Sequence, residues 1–139
     1  MQPLLKIDLS NKSWKSEKIP ETWAHDYLGG ASLAARLLYD HLNPEIGALD
    51  PQSPLLFING PLTGTGGPAV GRFVICGRSP ATNIWGESNI GGFWGPELRK
   101  AGYFGLWITG KADHPTWIHI QDDQVEFFDA SSIWGLETY

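Results

Sequence analysis

The residues whose types and spacing could do chemistry lie between Gly60 and Gly95, in the run GPLTGTGGPAVGRFVICGRSPATNIWGESNIGGFWG. Ten of the chain's seventeen glycines fall there. Its charged side chains are Arg72, Arg78 and Glu87, so it is locally positive inside a chain of net charge −5. Glycine opens the left-handed region of the backbone and lets a ligand approach peptide N–H groups closely. The planar fork of arginine matches the oxygens of a phosphate. Together they suit an anionic ligand; tight turns between strands are the plain alternative for the same glycines.

Two nucleotide readings fail on their context. Gly64-Thr65-Gly66-Gly67-Pro68-Ala69 has the glycine pattern of a dinucleotide-binding turn, but that motif needs a helix directly after it. Here Pro68 intrudes and a strand pattern, RFVIC, follows. Gly66 to Gly71 has P-loop spacing, yet Arg72-Phe73 stands where a Lys and a Ser or Thr would hold phosphate and magnesium. Arg72 itself reads either as a phosphate-gripping side chain or as a solvated arginine at a strand end. The run Ser88-Asn89-Ile90-Gly91-Gly92-Phe93 leads toward a helix, whose start would favour an anion. Asn89 could cap that helix, offer an oxygen to a hard cation, or do neither. Arg78 and Glu87 read as a simple surface pair.

Other chemistry is thinly represented. The histidines, His25, His41, His114 and His119, are dispersed and lack metal-ligand spacing, and a single cysteine, Cys76, precludes a CxxC set within the chain. Cys76 sits mid-strand as a small hydrophobe. His119 alternates with Trp117 and Gln121 along one strand face and reads as structural. No nucleophile–base arrangement stands out. The acidic balance argues against a nucleic-acid partner. No window reaches membrane-spanning length and no signal peptide opens the chain, so a cytoplasmic location is expected.

The elements that must position these residues follow from pattern. At 139 residues the chain has the size of one domain. Leu4 to Leu9, a turn at Asn11-Lys12, and Ser13 to Ile19 read as a hairpin. Pro20 opens helical sequence from Glu21 to Leu42, broken at Gly29-Gly30, with Leu33, Ala34, Leu37, Leu38 and Leu42 on one face. Strands are expected at Leu55–Asn59, Arg72–Cys76, Phe104–Thr109, Thr116–Gln121 and Gln124–Phe128, with a short helix at Phe93–Ala101. Strands and helices come in blocks, which predicts an α+β domain.

The segments GPLTGTGGPAVGRF, GRSPATNI, ESNIGGFWGPELRKAGYFGLWITGKA and VEFFDASSIWG, with KIDLS and YLGGASLAARLLYDHL before them, resemble the N-terminal domain of the aldehyde ferredoxin oxidoreductases, the tungsten-pterin enzymes. The resemblance runs through nearly the whole chain in consistent order. The SNIGGFWGPELRKAGY version is also similar to the tungsten subunit of benzoyl-CoA reductase complexes. The resemblance implies two β-sheets, or half-barrel-like strands, with interspersed helices, on which a tungsten bis-pterin cofactor rests. Residues 1–139 would be the tungstopterin-binding N-terminal domain of a larger, cytoplasmic enzyme.

Carried over residue by residue, the resemblance implies that Arg72 contacts a pterin phosphate. Asn89 would give its backbone oxygen to the magnesium bridging the two pterin phosphates. Gly91, with Ile90 and Gly92 beside it, would offer backbone contacts to the pterin. Catalytic residues, the second glycine-rich segment of the cradle and the cysteines of a 4Fe-4S cluster would lie beyond Tyr139, so these residues alone would be inactive. The implied reaction oxidises an aldehyde to a carboxylic acid. Implied partners are the remaining catalytic domains and ferredoxin or electron-transfer subunits, and a homodimer is left open. A stand-alone pterin-binding module or subunit, and the benzoyl-CoA reductase branch, are the alternatives.

Overall fold

The computed structural model describes residues 1–137; Thr138 and Tyr139, the end of the expected domain, lie outside the described residues. The chain forms strands β1 (Leu4–Asp8) and β2 (Ser13–Glu17), helices α1 (Glu21–Tyr27) and α2 (Gly30–His41), then strands β3 (Leu55–Asn59), β4 (Phe73–Arg78) and β5 (Trp85–Ile90). Helix α3 (Trp94–Lys100) and strands β6 (Gly105–Thr109), β7 (Thr116–Gln121) and β8 (Gln124–Asp129) complete it. Six strands make one mixed sheet in the order β2-β1-β6-β3-β4-β5, and β7 pairs with β8 in a separate hairpin. Neighbours in the large sheet are antiparallel except β1 and β6, which run parallel. This is the α+β arrangement that the blocks of strands and helices predict, with the two sheets that the resemblance implies.

Alternation along the central strands puts apolar side chains on both faces of the sheet. One face, with Leu4, Leu56, Ile58, Val74, Cys76 and Trp107, packs against Leu33, Ala34, Leu37 and Leu38 of α2. The other, with Leu5, Ile7 and Leu106, packs against Leu98 of α3 and the inner side chains Ile118, Ile120, Val125 and Phe127 of the hairpin. The break between α1 and α2 is a packing requirement. A Cβ on Gly29 (φ +145°) would stand 2.8 Å from both the Asn59 carbonyl oxygen and the Phe104 ring.

The register of β4 on β5 runs from Phe73 opposite Ile90 to Arg78 opposite Trp85. Strand β5 was not expected from sequence. It is an edge strand with mostly exposed side chains, so it lacks the apolar alternation that marks a half-buried strand. Its place in the sheet sets the geometry of the site.

Candidate cofactor-binding site

The site is built where β3 ends. After Asn59 the chain makes a turn in which the Thr63 N–H donates to the Gly60 carbonyl at 3.2 Å. The Gly64 N–H then donates to the Val70 carbonyl at 3.1 Å and closes the neck of an exposed loop. Gly64 (φ +78°) and Ala69 (φ +57°) both lie in the left-handed region, which is how so short a loop reverses. Gly71 brings the chain back against the β5–α3 link. A Cβ there would lie 2.5 Å from the Gly92 carbonyl oxygen, so the two glycine-rich backbones touch.

Arg72 leaves this crossing as the chain enters β4. Its Nε donates to Asn89 Oδ1 at 2.6 Å and its Nη2 to the Asn89 backbone oxygen at 3.0 Å. Asn89 lies on the diagonal across β4 and β5, which is why the arginine reaches both of its oxygens. The Cβ position of Gly91 is 3.4 Å from Arg72 Nη1, so a side chain there would crowd the guanidinium. Arg72 and Asn89 are both exposed, and among the described residues no carboxylate pairs with Arg72. Among the described residues the Arg72 side chain makes no other hydrogen bond, so its remaining guanidinium N–H groups are available to a ligand.

Of the residues singled out from sequence, Arg72, Asn89 and Gly91 are therefore gathered at one point. Ile90 is half-buried opposite Phe73, and Gly92 (φ +106°) is exposed with open space at its Cβ position. Asn89 does not cap a helix. It belongs to β5, and α3 begins at Trp94 after the N-cap residue Phe93, with no side-chain cap hydrogen bond. With only seven residues, α3 contributes little dipole, so the positive character of the site rests on Arg72. Arg78 and Glu87 do not pair either. Arg78 donates to the carbonyls of Pro44 and Ile46, and Glu87 accepts from Trp85 Nε1 at 3.3 Å.

Cys76 is buried in β4, and its thiol is pushed up to about 12 by that burial, with the Glu87 charge adding to it. It is no nucleophile at neutral pH. Among the described residues no group of three His, Cys, Asp or Glu side chains is gathered to hold a metal. His119 faces outward from the hairpin, with Nδ1 3.5 Å from Glu126 Oε2.

Two positioning residues escaped the sequence reading. Asn59 is fully buried, and its Nδ2 donates to the Gly95 carbonyl at 3.3 Å. Thr63, also buried, accepts from the Gly60 N–H at 3.0 Å and donates to the Arg72 carbonyl at 2.7 Å. The available signal was a polar residue closing an apolar strand, LLFIN, directly before a glycine. An unpaired guanidinium, an accessible carbonyl and glycine backbone without side-chain cover fit a phosphate-bearing group with an associated cation.

The family model for the aldehyde ferredoxin oxidoreductase N-terminal domain matches residues 4–139. The chain is 39% identical over 132 residues to a tungsten-containing aldehyde ferredoxin oxidoreductase of Pyrococcus horikoshii, covering 95% of this chain and 22% of that protein. It is 34% identical over 136 residues to the aliphatic sulfonate oxidoreductase WOR-like subunit of Pyrococcus furiosus, covering 96% of this chain and again 22% of the relative. Among solved structures, the active-site complex BamBC of benzoyl coenzyme A reductase, with 1,5-dienoyl-CoA, superposes with a TM-score of 0.93 at 34% identity, over 96% of this chain and 20% of that one. The chain thus spans about a fifth of the length of these relatives. With the match running across nearly every residue and the fold superposing throughout, the chain belongs to the aldehyde ferredoxin oxidoreductase family, as its N-terminal domain.

Proposed function

We propose that residues 1–139 are the cofactor-cradling domain of a tungsten-dependent oxidoreductase that converts aldehydes to carboxylic acids with ferredoxin as electron acceptor. When bound, the tungsten bis-pterin supplies the two-electron oxidation. The residues of this chain bind and orient it. Arg72 would hold a pterin phosphate through its remaining N–H groups, and the Asn89 carbonyl would offer an oxygen to an associated magnesium. Gly91, Ile90 and Gly92 present backbone close to the pterin. Catalytic groups and the 4Fe-4S cluster belong to other parts of the enzyme.

The observation that carries this reading is the grip of Arg72 on both oxygens of Asn89, beside glycine backbone and with no carboxylate among the described residues to neutralise it. The test is tungsten content per polypeptide in the full-length protein carrying Arg72→Ala or Arg72→Lys. Both are expected to lower it, the lysine less, because it keeps the charge but loses the fork. Unchanged tungsten in Arg72→Ala would overturn the role. Residues 1–139 alone are expected to hold no stoichiometric tungsten and to oxidise no aldehyde; metal analysis of the purified domain checks this.

The close superposition on the benzoyl coenzyme A reductase complex favours one second reading, a tungsten subunit acting on an aromatic acyl thioester. Activity of the full-length protein on aldehydes against acyl-CoA substrates separates the two.

A further inference from the structure

Thr63, Asn59 and Gly95 form a buried polar joint behind the site. A Cβ on Gly95 would stand 2.6 Å from Asn59 Oδ1, 3.1 Å from Thr63 Cγ2 and 3.3 Å from the Phe73 ring. Three segments meet there, the end of β3, the start of α3 and the first residue of β4. Asn59 Oδ1 is buried with no hydrogen-bond partner. Rotating the amide would set that oxygen against the Gly95 carbonyl, so the Nδ2 bond to Gly95 fixes its orientation. The Thr63 hydroxyl is then committed on both sides. It accepts from the Gly60 N–H and donates to the carbonyl of Arg72. That carbonyl belongs to the residue whose side chain grips Asn89, so the hydroxyl sets where Arg72 leaves the loop.

We propose that Thr63, braced by Asn59 and Gly95, is a positioning residue that holds Arg72 in register for the phosphate-bearing cofactor. The inference rests on the proposed role of Arg72. The Thr63 hydroxyl is taken up by backbone groups on both sides. Removing its hydroxyl leaves the Gly60 N–H and the Arg72 carbonyl without this partner, and the neck of the loop loses the bond that ties it to β4.

The test follows release of tungsten from the full-length, cofactor-loaded protein during dialysis. Thr63→Val is expected to release it about tenfold faster or more, because both hydrogen bonds of the hydroxyl are lost. Thr63→Ser keeps the hydroxyl and is expected to match the wild type. Ile7→Val, in β1 of the core under α3 but outside the joint, controls for stability alone. Equal release from Thr63→Val and Ile7→Val, or fast release from Thr63→Ser, overturns the inference.

Arg72→Ala separates the two claims. Fast release from it with wild-type release from Thr63→Val defeats only the positioning role, and wild-type release from Arg72→Ala defeats the reading beneath it. Should Thr63→Val not accumulate as folded protein, the wild type decides. Hydrogen exchange at the Gly60 amide is expected to slow when the cofactor is bound, because coupling between the two is reciprocal. An unchanged rate overturns the inference.

Discussion

At the residue scale, burial separates the groups that titrate harmlessly from those that tie stability to pH. The Cys76 thiol is pushed from 9.0 up to about 12, first by burial and then by the Glu87 charge. Burial, followed by the charge of Asp123, likewise raises the Tyr103 phenol above its ordinary 10.0. A group whose pKa rises on folding contributes stability that is complete below its unfolded value and lost as pH climbs through the folded one. The domain is therefore expected to lose stability from pH 9.0 upward, by at most about 1.4 kcal/mol per pH unit from Cys76. Denaturant midpoints measured across that interval check it, and Cys76→Ala should flatten the slope.

The Glu17 carboxyl shows the opposite sign. Burial alone would raise it, but hydrogen bonds from Lys6 and Lys15 outweigh that and hold it below the ordinary 4.5. Its contribution is present above 4.5 and fades as pH falls through its lowered folded value, so acid weakens the β1–β2 hairpin at the Lys6–Glu17 and Lys15–Glu17 pairs.

At the scale of elements, the glycines of the site divide by what surrounds them. Gly71→Ala is expected to cost about 1–3 kcal/mol, because the added carbon meets the Gly92 carbonyl oxygen at 2.5 Å and backbone gives way on neither side. Gly66→Ala, in open space, should stay within about 0.5 kcal/mol of the wild type. Paired chemical denaturation of the two variants tests the contrast. Sequence pattern located the helices and the buried strands because their apolar residues recur with a clear period, as in Leu33, Ala34, Leu37 and Leu38 of α2. It also gathered Arg72, Asn89 and the glycines into one region. It missed β5, since WGESNI carries no alternation and pairs only along one edge. With β5 unseen, Asn89 could not be placed across from β4, nor Arg78 recognised as a brace on the Pro44–Ile46 loop. Those contacts depend on where distant segments arrive, which no local period encodes.

At the scale of the whole molecule, two cores press on one sheet from opposite sides, and the site lies at the end of β3 and along the β4–β5 edge. Leu33 is fully buried between α2 and the sheet. Leu33→Ala is expected to destabilise the domain by about 2–5 kcal/mol, read from the shift in denaturant midpoint. The parallel pairing of Leu4–Asp8 with Gly105–Thr109 has a temporal consequence. During synthesis, the second residue ladder of β1 has nothing to pair with until roughly a hundred further residues have emerged, a closure whose entropy delays the contact. The β1–β2 hairpin waits as a two-stranded ribbon, marginal in water by itself, while β3, β4 and β5 can assemble among neighbours in sequence. The β4–β5 edge that carries Arg72 and Asn89 is thus free to form early, and the first strand made is among the last to be locked in place.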